Sequence, residues 1–194
     1  MALLTPPTRG RRAGWVALAV ALLWAAATAA DQPVATENEI KAGFLYNFAL
    51  FVEWPATVAS PARDTFIIGV IGEDLFGREL EKDMQRETVN GRPLVIRHFV
   101  RVEDLEFCHI LFIRASETGH LGAILEAARH WSTLTVGETA SFLAAGGMIN
   151  FMMKGNRVRF AVNVTPAERA GLRISSKLLN LAEVVQQVPP LTEH

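Results

Sequence analysis

The sequence predicts an α/β fold: a single domain with a mixed, mostly parallel sheet, helices on both faces, and a C-terminal hairpin plus helix. Three observations support this fold class. Short β-branched runs alternate with segments of helical periodicity, as in parallel sheets covered by helices. The run 107–114 is apolar apart from His109 and the terminal Arg114, as expected for a strand that is buried on both faces. The turn Lys154-Gly155-Asn156 separates two further strand-like runs, and Gly-Asn is a recognised hairpin turn pair.

The first 30 residues have the layout of a signal peptide. Three arginines within 9–12 precede an apolar run over 13–30, and small residues offer a cleavage site before Asp31. An uncleaved membrane anchor is the alternative, because 18 residues approach the lower limit for crossing a bilayer. We therefore expect residues 1–30 to be removed and residues 31–194 to form the exported domain.

The mature chain opens with a helix signal. Thr36 and Glu39 make a T-x-x-E capping box, in which each side chain satisfies a free backbone N–H group of the first turn. Apolar residues follow at helical spacing, and Pro55 ends the helix. The next predicted elements are strands over 65–72, 93–101 and 107–114 and helices over 73–85 and 117–130.

The second half of the chain continues the alternation. A short strand over 132–138 leads into a brief helix around 141–147. The hairpin joins 147–153 to 157–164, and the last helix runs from about Ser175 to Gln187. Since no internal repeat or low-complexity linker interrupts the mature chain, these elements indicate one domain.

Charge and cysteine content exclude some classes of protein. Residues 31–194 hold all 20 acidic residues and 16 of the 19 Lys and Arg, a formal net charge of about −4. Without a basic excess, binding to nucleic acid is not expected. Cys108 is the only cysteine, so no intramolecular disulfide can form. It lies in an apolar run and is expected to pack as a small hydrophobic residue, with a reactive thiol as the alternative.

No catalytic signature is found, and no cofactor or metal is predicted. The loop 72–77 has two glycines but lacks the Lys-Ser/Thr of a phosphate-binding loop. The five histidines are dispersed and form no zinc-type pair or cluster. Cys108 and His109 are neighbours whose side chains would point to opposite faces of a strand. The sequence therefore predicts a protein that acts by binding and is not an enzyme.

Two polar groups form a candidate ligand site for a carboxylate or phosphate. One lies on a single face of the last strand, because its members are separated by even numbers of residues. The other starts the last helix, where free N–H groups favour an anion. The first group is Arg157, Arg159 and Asn163, and the second is Ser175, Ser176 and Lys177. The alternative is that Arg159 pairs with an acidic residue, Ser175 caps the helix and Lys177 is solvated.

Seven sequence blocks occur in order across nearly the whole mature chain. They are EIKAGFLYNFALFVEWP at 39–55, GEDLFG at 72–77, NGRPLVIR at 90–97, CHILFI at 108–113, LTVGE at 134–138, GGMINF at 146–151 and VRFAVNVTPAERAGLRISSKLLNLAEVV at 158–185. This set resembles the YfiR/HmsC-like family of exported bacterial proteins.

The resemblance implies a periplasmic, non-catalytic regulator of cyclic di-GMP signalling. Similar proteins bind the periplasmic sensor portion of an inner-membrane diguanylate cyclase and repress it, which lowers cyclic di-GMP and biofilm formation. Repression is often released through an OmpA-like outer-membrane lipoprotein, and such proteins tend to be homodimers. The competing class is a periplasmic small-molecule sensor or solute-binding domain that feeds a membrane signalling protein.

Repression of this kind needs an exposed surface for the cyclase. We expect it on the first helix and the Glu53-Trp54-Pro55 corner that follows, with Phe44, Phe48, Glu53 and Trp54 as contact residues. The alternative is that the corner is a hydrophobic plug.

The chain departs from the family in its cysteines. The resemblance implies cysteine pairs that form disulfides, one of which joins the first strand to the CHILFI strand. Cys108 matches the second position, but the first-strand position is Gly69. This disulfide is therefore expected to be absent, and its contribution of a few kcal/mol has to come from packing.

Overall fold

Ten strands and five α-helices make up the part of the chain that the computed structural model describes, residues 35–56, 64–73 and 77–185. The strands are β1 (Val52–Glu53), β2 (Phe66–Ile71), β3 (Thr88–Val89), β4 (Arg92–Phe99), β5 (Ile110–Ile113), β6 (Leu134–Gly137), β7 (Ile149–Lys154), β8 (Arg157–Asn163), β9 (Arg173–Ile174) and β10 (Glu183–Val185). The helices are α1 (Glu37–Phe51), α2 (Gly77–Gln85), α3 (Leu121–Arg129), α4 (Val164–Arg169) and α5 (Ser176–Leu179).

Eight of these strands form one mixed sheet in the order β10-β8-β7-β6-β5-β2-β4-β3. In the order β7-β6-β5-β2-β4, each of these five strands runs parallel to the next one. Strand β10 also runs parallel to β8. The pairs β3–β4 and β7–β8 are antiparallel. Strands β1 and β9 form a separate antiparallel pair. The predicted mixed, mostly parallel sheet in a single α/β domain is confirmed.

The sheet buries apolar side chains on both faces, as predicted. Along β2, Phe66 and Ile68 belong to the core cluster that contains α1, whereas Ile67 and Ile71 belong to the cluster that contains α3. This alternation is the period of two that a strand imposes on its side chains. Every residue of β2 and β5 is buried, which explains their uninterrupted apolar sequences.

Helix α1 begins at the predicted capping box. Thr36 Oγ1 accepts a hydrogen bond from the backbone N–H of Glu39 (3.2 Å), and the Glu39 carboxylate accepts one from the Thr36 backbone N–H (2.6 Å). The helix packs Leu45, Phe48 and Ala49 on the sheet with no measurable exposure. It continues directly into β1, so the corner at Glu53-Trp54-Pro55 is held against the domain.

Two tight turns also follow the sequence signals. Asn90 and Gly91 have positive φ angles of 51° and 79°, the backbone that a two-residue hairpin turn requires, and they join β3 to β4. The predicted C-terminal hairpin is present as β7–β8, with Gly155 at a φ of 61° in its turn.

Two sequence-based element predictions are wrong. The segment 141–147 forms successive turns and no regular helix. The last helix ends at Leu179, not at Gln187, and the chain then adds β10 to the free edge of β8. Helix α4 and strand β9 were not predicted. Gln187 lies outside the described residues, as does the predicted signal peptide.

Within the described ranges, no helix combines the length and the apolarity needed to cross a membrane.

Candidate functional site

A buried group of charged side chains lies where two parallel strands end. Arg114 directly follows β5 and Glu138 directly follows β6, and the preceding residues of the two strands pair in register. Lys41 reaches the same point from α1. The carboxyl ends of parallel strands are where open α/β sheets commonly bind ligands. We call Lys41, Arg114 and Glu138 the strand-end cluster.

Glu138 is the centre of the strand-end cluster. Lys41 Nζ donates to Glu138 Oε2 at 2.8 Å, and Arg114 Nη1 donates to the same oxygen at 2.9 Å. The backbone N–H of Ala115 donates to Oε1 at 3.0 Å. The side chains of Lys41, Glu138 and Arg114 are only 8%, 9% and 17% exposed. Their pairing offsets the cost of taking three ions out of water.

A cavity of about 340 Å³ opens beside the cluster. Its polar wall is formed by the strand-end cluster with Glu37 and Asn38 from the first turn of α1, and its apolar wall by Phe151–Met153 from β7. We call it the strand-end cavity. Arg114 Nε is buried and has no hydrogen-bond partner among the described residues. Because buried polar atoms are nearly always paired with protein or with ordered water, this nitrogen is a candidate donor to a water molecule or to a ligand atom.

Sequence reasoning missed this site. Arg114 and Glu138 stand 24 positions apart, and Lys41 is 97 positions from Glu138, so no local motif joins them. A signal was nevertheless present, since Arg114 and Glu138 each directly follow an apolar strand. Neighbouring parallel strands bring such residues to one edge of the sheet.

A larger cavity, of about 550 Å³, lies near the start of β6 and the end of α3. The hydroxyl groups of Thr133 and Thr135 on its wall already bond to backbone atoms of Cys108 and Met148. We therefore regard the smaller, more strongly charged cavity as the better candidate site.

The residues predicted to bind an anion fall into two separate groups. Arg157, Arg159 and Asn163 share one face of β8, as predicted, because the alternating Val158, Phe160 and Val162 all lie in the core on the α1 side. The Ser175–Lys177 turn lies on the α1 side instead: the backbone N–H of Ser175 donates to the Phe51 carbonyl, and the adjoining Leu178 belongs to the same core.

The local environments of these groups also differ. Arg157 and Arg159 are exposed, whereas Asn163 is fully buried, with its side-chain nitrogen 3.5 Å from the Leu143 carbonyl oxygen. Ser175 Oγ accepts from the backbone N–H of Leu178 at 3.3 Å, which makes it the cap of α5. The two groups therefore do not form one site. Anion binding by either group alone remains a prediction.

The predicted partner residues divide into core and surface. Phe48 is fully buried, and its ring lies 5.1 Å from that of Phe160 and 5.8 Å from that of Phe151. Phe44 is partly buried in the same aromatic group, 5.2 Å from Phe160. Both phenylalanines fasten α1 to the sheet, so any contact they make with a partner is limited to the exposed part of Phe44.

Glu53 and Trp54 lie at the surface corner. Glu53 is exposed and pairs across the β1–β9 ladder with Arg173, which is also exposed. Trp54 is half-buried: its ring meets Phe66 edge to face at 5.2 Å, and its Nε1 donates to the His109 carbonyl at 3.2 Å. The corner therefore acts as a hydrophobic plug through the Trp54 ring, and it also presents Glu53 at the surface.

Cys108 and His109 point in opposite directions, as the strand geometry predicts. The Cys108 side chain packs in the α3-side core, whereas the His109 ring stacks on Phe66 in the α1-side core at 4.4 Å. Burial raises the pKa of the Cys108 thiol to about 12, so it is protonated and unreactive at neutral pH. In the part of the chain that the structure describes, no three His, Cys, Asp or Glu side chains gather as metal ligands would.

Fold and site together define an α/β binding domain with a charged cavity at the ends of its parallel strands. The chain belongs to the YfiR/HmsC-like family, whose model matches residues 38–183.

Solved structures show a related fold at low sequence identity. A conserved domain protein from Vibrio cholerae O1 biovar El Tor aligns with a TM-score of 0.52 and 13% identity, covering 78% of this chain and 60% of that one. This chain therefore spans 60% of the Vibrio protein's length. The ABC domain from Streptococcus pneumoniae in complex with L-Trp aligns with a TM-score of 0.44 and 9% identity, covering 63% and 55% of the two chains. No curated protein matches this sequence.

Proposed function

We propose that this protein binds the periplasmic sensor portion of an inner-membrane diguanylate cyclase and represses it. The observation that carries the proposal is the family match over residues 38–183. Repression lowers cyclic di-GMP and biofilm formation. The protein acts by binding and not by catalysis, and the buried, protonated Cys108 thiol is consistent with that role.

The contact surface that best fits this role is the corner at the end of α1. We define the corner surface as Leu50, Glu53, Trp54 and Arg173. Leu50 is one of the few large apolar side chains that are exposed in the described part of the chain, at 38%. Glu53 and the half-buried Trp54 follow Leu50 closely in the chain, and Arg173 is the register partner of Glu53 in the β1–β9 ladder. An apolar and aromatic centre with charged neighbours is typical of protein interfaces. Phe44 and Phe48 anchor α1, which carries Leu50, to the sheet.

Repression then follows from differential affinity. A regulator that binds the inactive arrangement of the sensor more tightly than the active one shifts the cyclase toward inactivity by the ratio of the two affinities. An OmpA-like outer-membrane lipoprotein that competes for the regulator would release the enzyme. We also propose that the protein acts as a homodimer.

The test measures cellular cyclic di-GMP in the native host. Deletion of the gene should raise cyclic di-GMP, and the rise should disappear when the candidate membrane cyclase is deleted as well. Unchanged cyclic di-GMP on deletion, with both proteins expressed, would refute repression.

Two variants locate the contact surface. Leu50→Glu and Glu53→Arg should relieve repression without unfolding the domain, because both side chains are exposed. Glu103→Arg is the matched control, since it reverses an exposed charge on a 3-10 turn outside the corner surface. Full repression by both corner variants would exclude this surface.

A second candidate function is that of a periplasmic small-molecule sensor. The strand-end cavity, with its buried charges and the unpaired Arg114 Nε, is the observation that favours it. Sensing and repression are compatible if ligand binding changes the affinity for the cyclase.

A further inference from the structure

We propose that the strand-end cavity binds a small organic monocarboxylate with a short apolar chain. The inference rests on the cavity itself and stands whether or not the protein represses a cyclase. It specifies the chemical class of the ligand for the second candidate function, a periplasmic small-molecule sensor.

The free edge of Arg114 points to a carboxylate. Arg114 holds Glu138 through Nη1 alone, at 2.8 and 2.9 Å from its two oxygens. The opposite edge of the guanidinium, formed by Nε and Nη2, is the edge that receives a carboxylate through two parallel hydrogen bonds. Nε on this edge is buried and unpaired among the described residues. A ligand carboxylate would therefore satisfy a donor that the folded chain leaves unused.

The charge of the site selects a single negative charge. Lys41 and Arg114 outweigh Glu138 by one positive charge, and all three side chains are mostly buried. Glu37 also pairs with Lys41, but its side chain is 48% exposed at the rim, where water weakens its field. Since the four charged side chains that line the cavity sum to zero once Glu37 is counted, one ligand carboxylate on Arg114 is the most that the buried cations can compensate.

The other wall of the cavity accounts for the apolar part of the ligand. Phe151, Met152 and Met153 line that wall, and the flexible thioether side chains of Met adapt to apolar groups of different shape. A volume of about 340 Å³ lies at the lower end of the range for ligand pockets. The ligand is therefore small.

The experiment uses the full exported protein purified from the periplasm. Thermal unfolding and calorimetric titration are measured with propanoate, pentanoate and heptanoate, and with the corresponding neutral amides. At least one carboxylate should raise the melting temperature in a concentration-dependent way, and its amide should not. Equal responses to acid and amide, or no response to any of the three acids, would overturn the proposal.

Three variants separate this site from nonspecific anion binding. Glu37→Gln should tighten carboxylate binding by roughly threefold, since it removes a rim charge within reach of Lys41. A misfolded protein would not bind the carboxylate more tightly, so a gain in affinity in this variant cannot be attributed to damage to the fold. Met153→Trp should abolish binding by filling the cavity, because Met153 shares the α1-facing side of β7 with Phe151. Arg129→Gln, which removes an exposed arginine from a surface ion pair, should leave affinity unchanged.

The outcomes also distinguish this inference from the proposed function. Unchanged affinity in both Glu37→Gln and Met153→Trp would place the anion elsewhere and overturn the site. Carboxylate binding in a protein whose deletion leaves cyclic di-GMP unchanged would support the site while refuting repression.

Discussion

The Glu138 carboxylate connects three separate parts of the chain. It accepts hydrogen bonds from Lys41 on α1, from Arg114 after β5 and from the Ala115 amide. Buried ions of this kind depend on one another, because each would be strongly destabilising without its partners. The cluster therefore holds the start of α1 against the ends of the sheet.

Replacing this carboxylate with an amide tests that dependence. Glu138→Gln should lower the free energy of unfolding by about 3 kcal/mol, since the mostly buried Arg114 loses its counter-charge and Lys41 keeps only the half-exposed Glu37. Urea denaturation measures the change. Glu126→Gln is the matched control: it breaks an ion pair with Arg129 in which both side chains are more than 60% exposed, and it should cost less than about 1 kcal/mol. Similar losses in the two variants would show that the strand-end cluster adds no stability.

Gly69 occupies the position at which relatives are expected to carry a disulfide cysteine. A Cβ atom built on Gly69 lies 2.9 Å from Cys108 Sγ and 2.7 Å from the ring of Phe99. The geometry around Cys108 has therefore kept the proximity that a disulfide needs, even though this chain lacks the second thiol.

Gly69→Cys should restore a disulfide to Cys108. We expect oxidised protein to gain about 2–4 kcal/mol of stability over its reduced form, once the Phe99 ring shifts aside. Melting temperatures with and without reductant, and mass spectrometry of the intact chain, measure the result. Gly69→Ser has nearly the same size and should show no response to reductant. A free-thiol count of two in the oxidised Gly69→Cys protein would contradict the expectation.

At the scale of elements, the segment between β6 and β7 is organised around one aromatic ring. Phe142 is 1% exposed, and its ring fits against two glycines. A Cβ atom on Gly137 would lie 2.2 Å from the ring, and one on Gly147 would lie 2.1 Å from it. Contacts this short are impossible, so the ring and its turns require glycine at both positions.

Gly147→Ala should therefore expel Phe142 and lower the free energy of unfolding by about 2 kcal/mol, as overpacked cores do. Thermal or urea unfolding measures the effect. The control is Gly43→Ala in the middle of α1, where the added methyl group meets no atom within 4 Å. There alanine should stabilise the helix by about 0.5–1 kcal/mol. Wild-type stability in Gly147→Ala would mean that the ring has another place to pack.

The elements that could be predicted from sequence carry their signals locally. The capping box at Thr36 and Glu39 and the Asn90-Gly91 turn depend on residues a few positions apart, so their physics is visible in a short window. The end of the chain was different. Residues 183–185 form a strand because β8 offers a free edge, and no local pattern reveals that edge. The turns around Phe142 likewise depend on the close approach of Gly137 and Gly147 to its ring, which exists only in the folded chain.

The candidate site shows the same limit. The helix start at Ser175 looks like an anion site in the sequence. In the structure, the Ser175 hydroxyl oxygen already accepts a hydrogen bond from the backbone of its own helix, α5. The strand-end cluster is assembled instead by strand order. Placing Arg114 beside Glu138 requires the knowledge that β5 and β6 are parallel neighbours, which a sequence pattern suggests but does not establish.

At the scale of the whole molecule, export decides where the protein can act. We expect periplasmic protein to begin at Asp31, because small residues precede it after the apolar run. Mass spectrometry of the amino-terminal peptide from a periplasmic extract measures this. Replacing Ala30 with a bulky Phe should block cleavage and leave a larger, membrane-associated form. An intact amino terminus in the periplasmic extract would contradict the expectation.

The closing of β1 onto β9 has a consequence for how the exported chain acquires its fold. Val52 pairs with Ile174, and Phe48 of α1 packs on Phe160 of β8, so the earliest described elements are held by some of the latest. Contacts between residues so distant in sequence form slowly. A chain that enters the periplasm amino end first presents the apolar side of α1 before β8 and β9 arrive, and exposed apolar surface of this kind is prone to aggregation. The late strands β8 and β9 thus determine when the first helix can complete its packing.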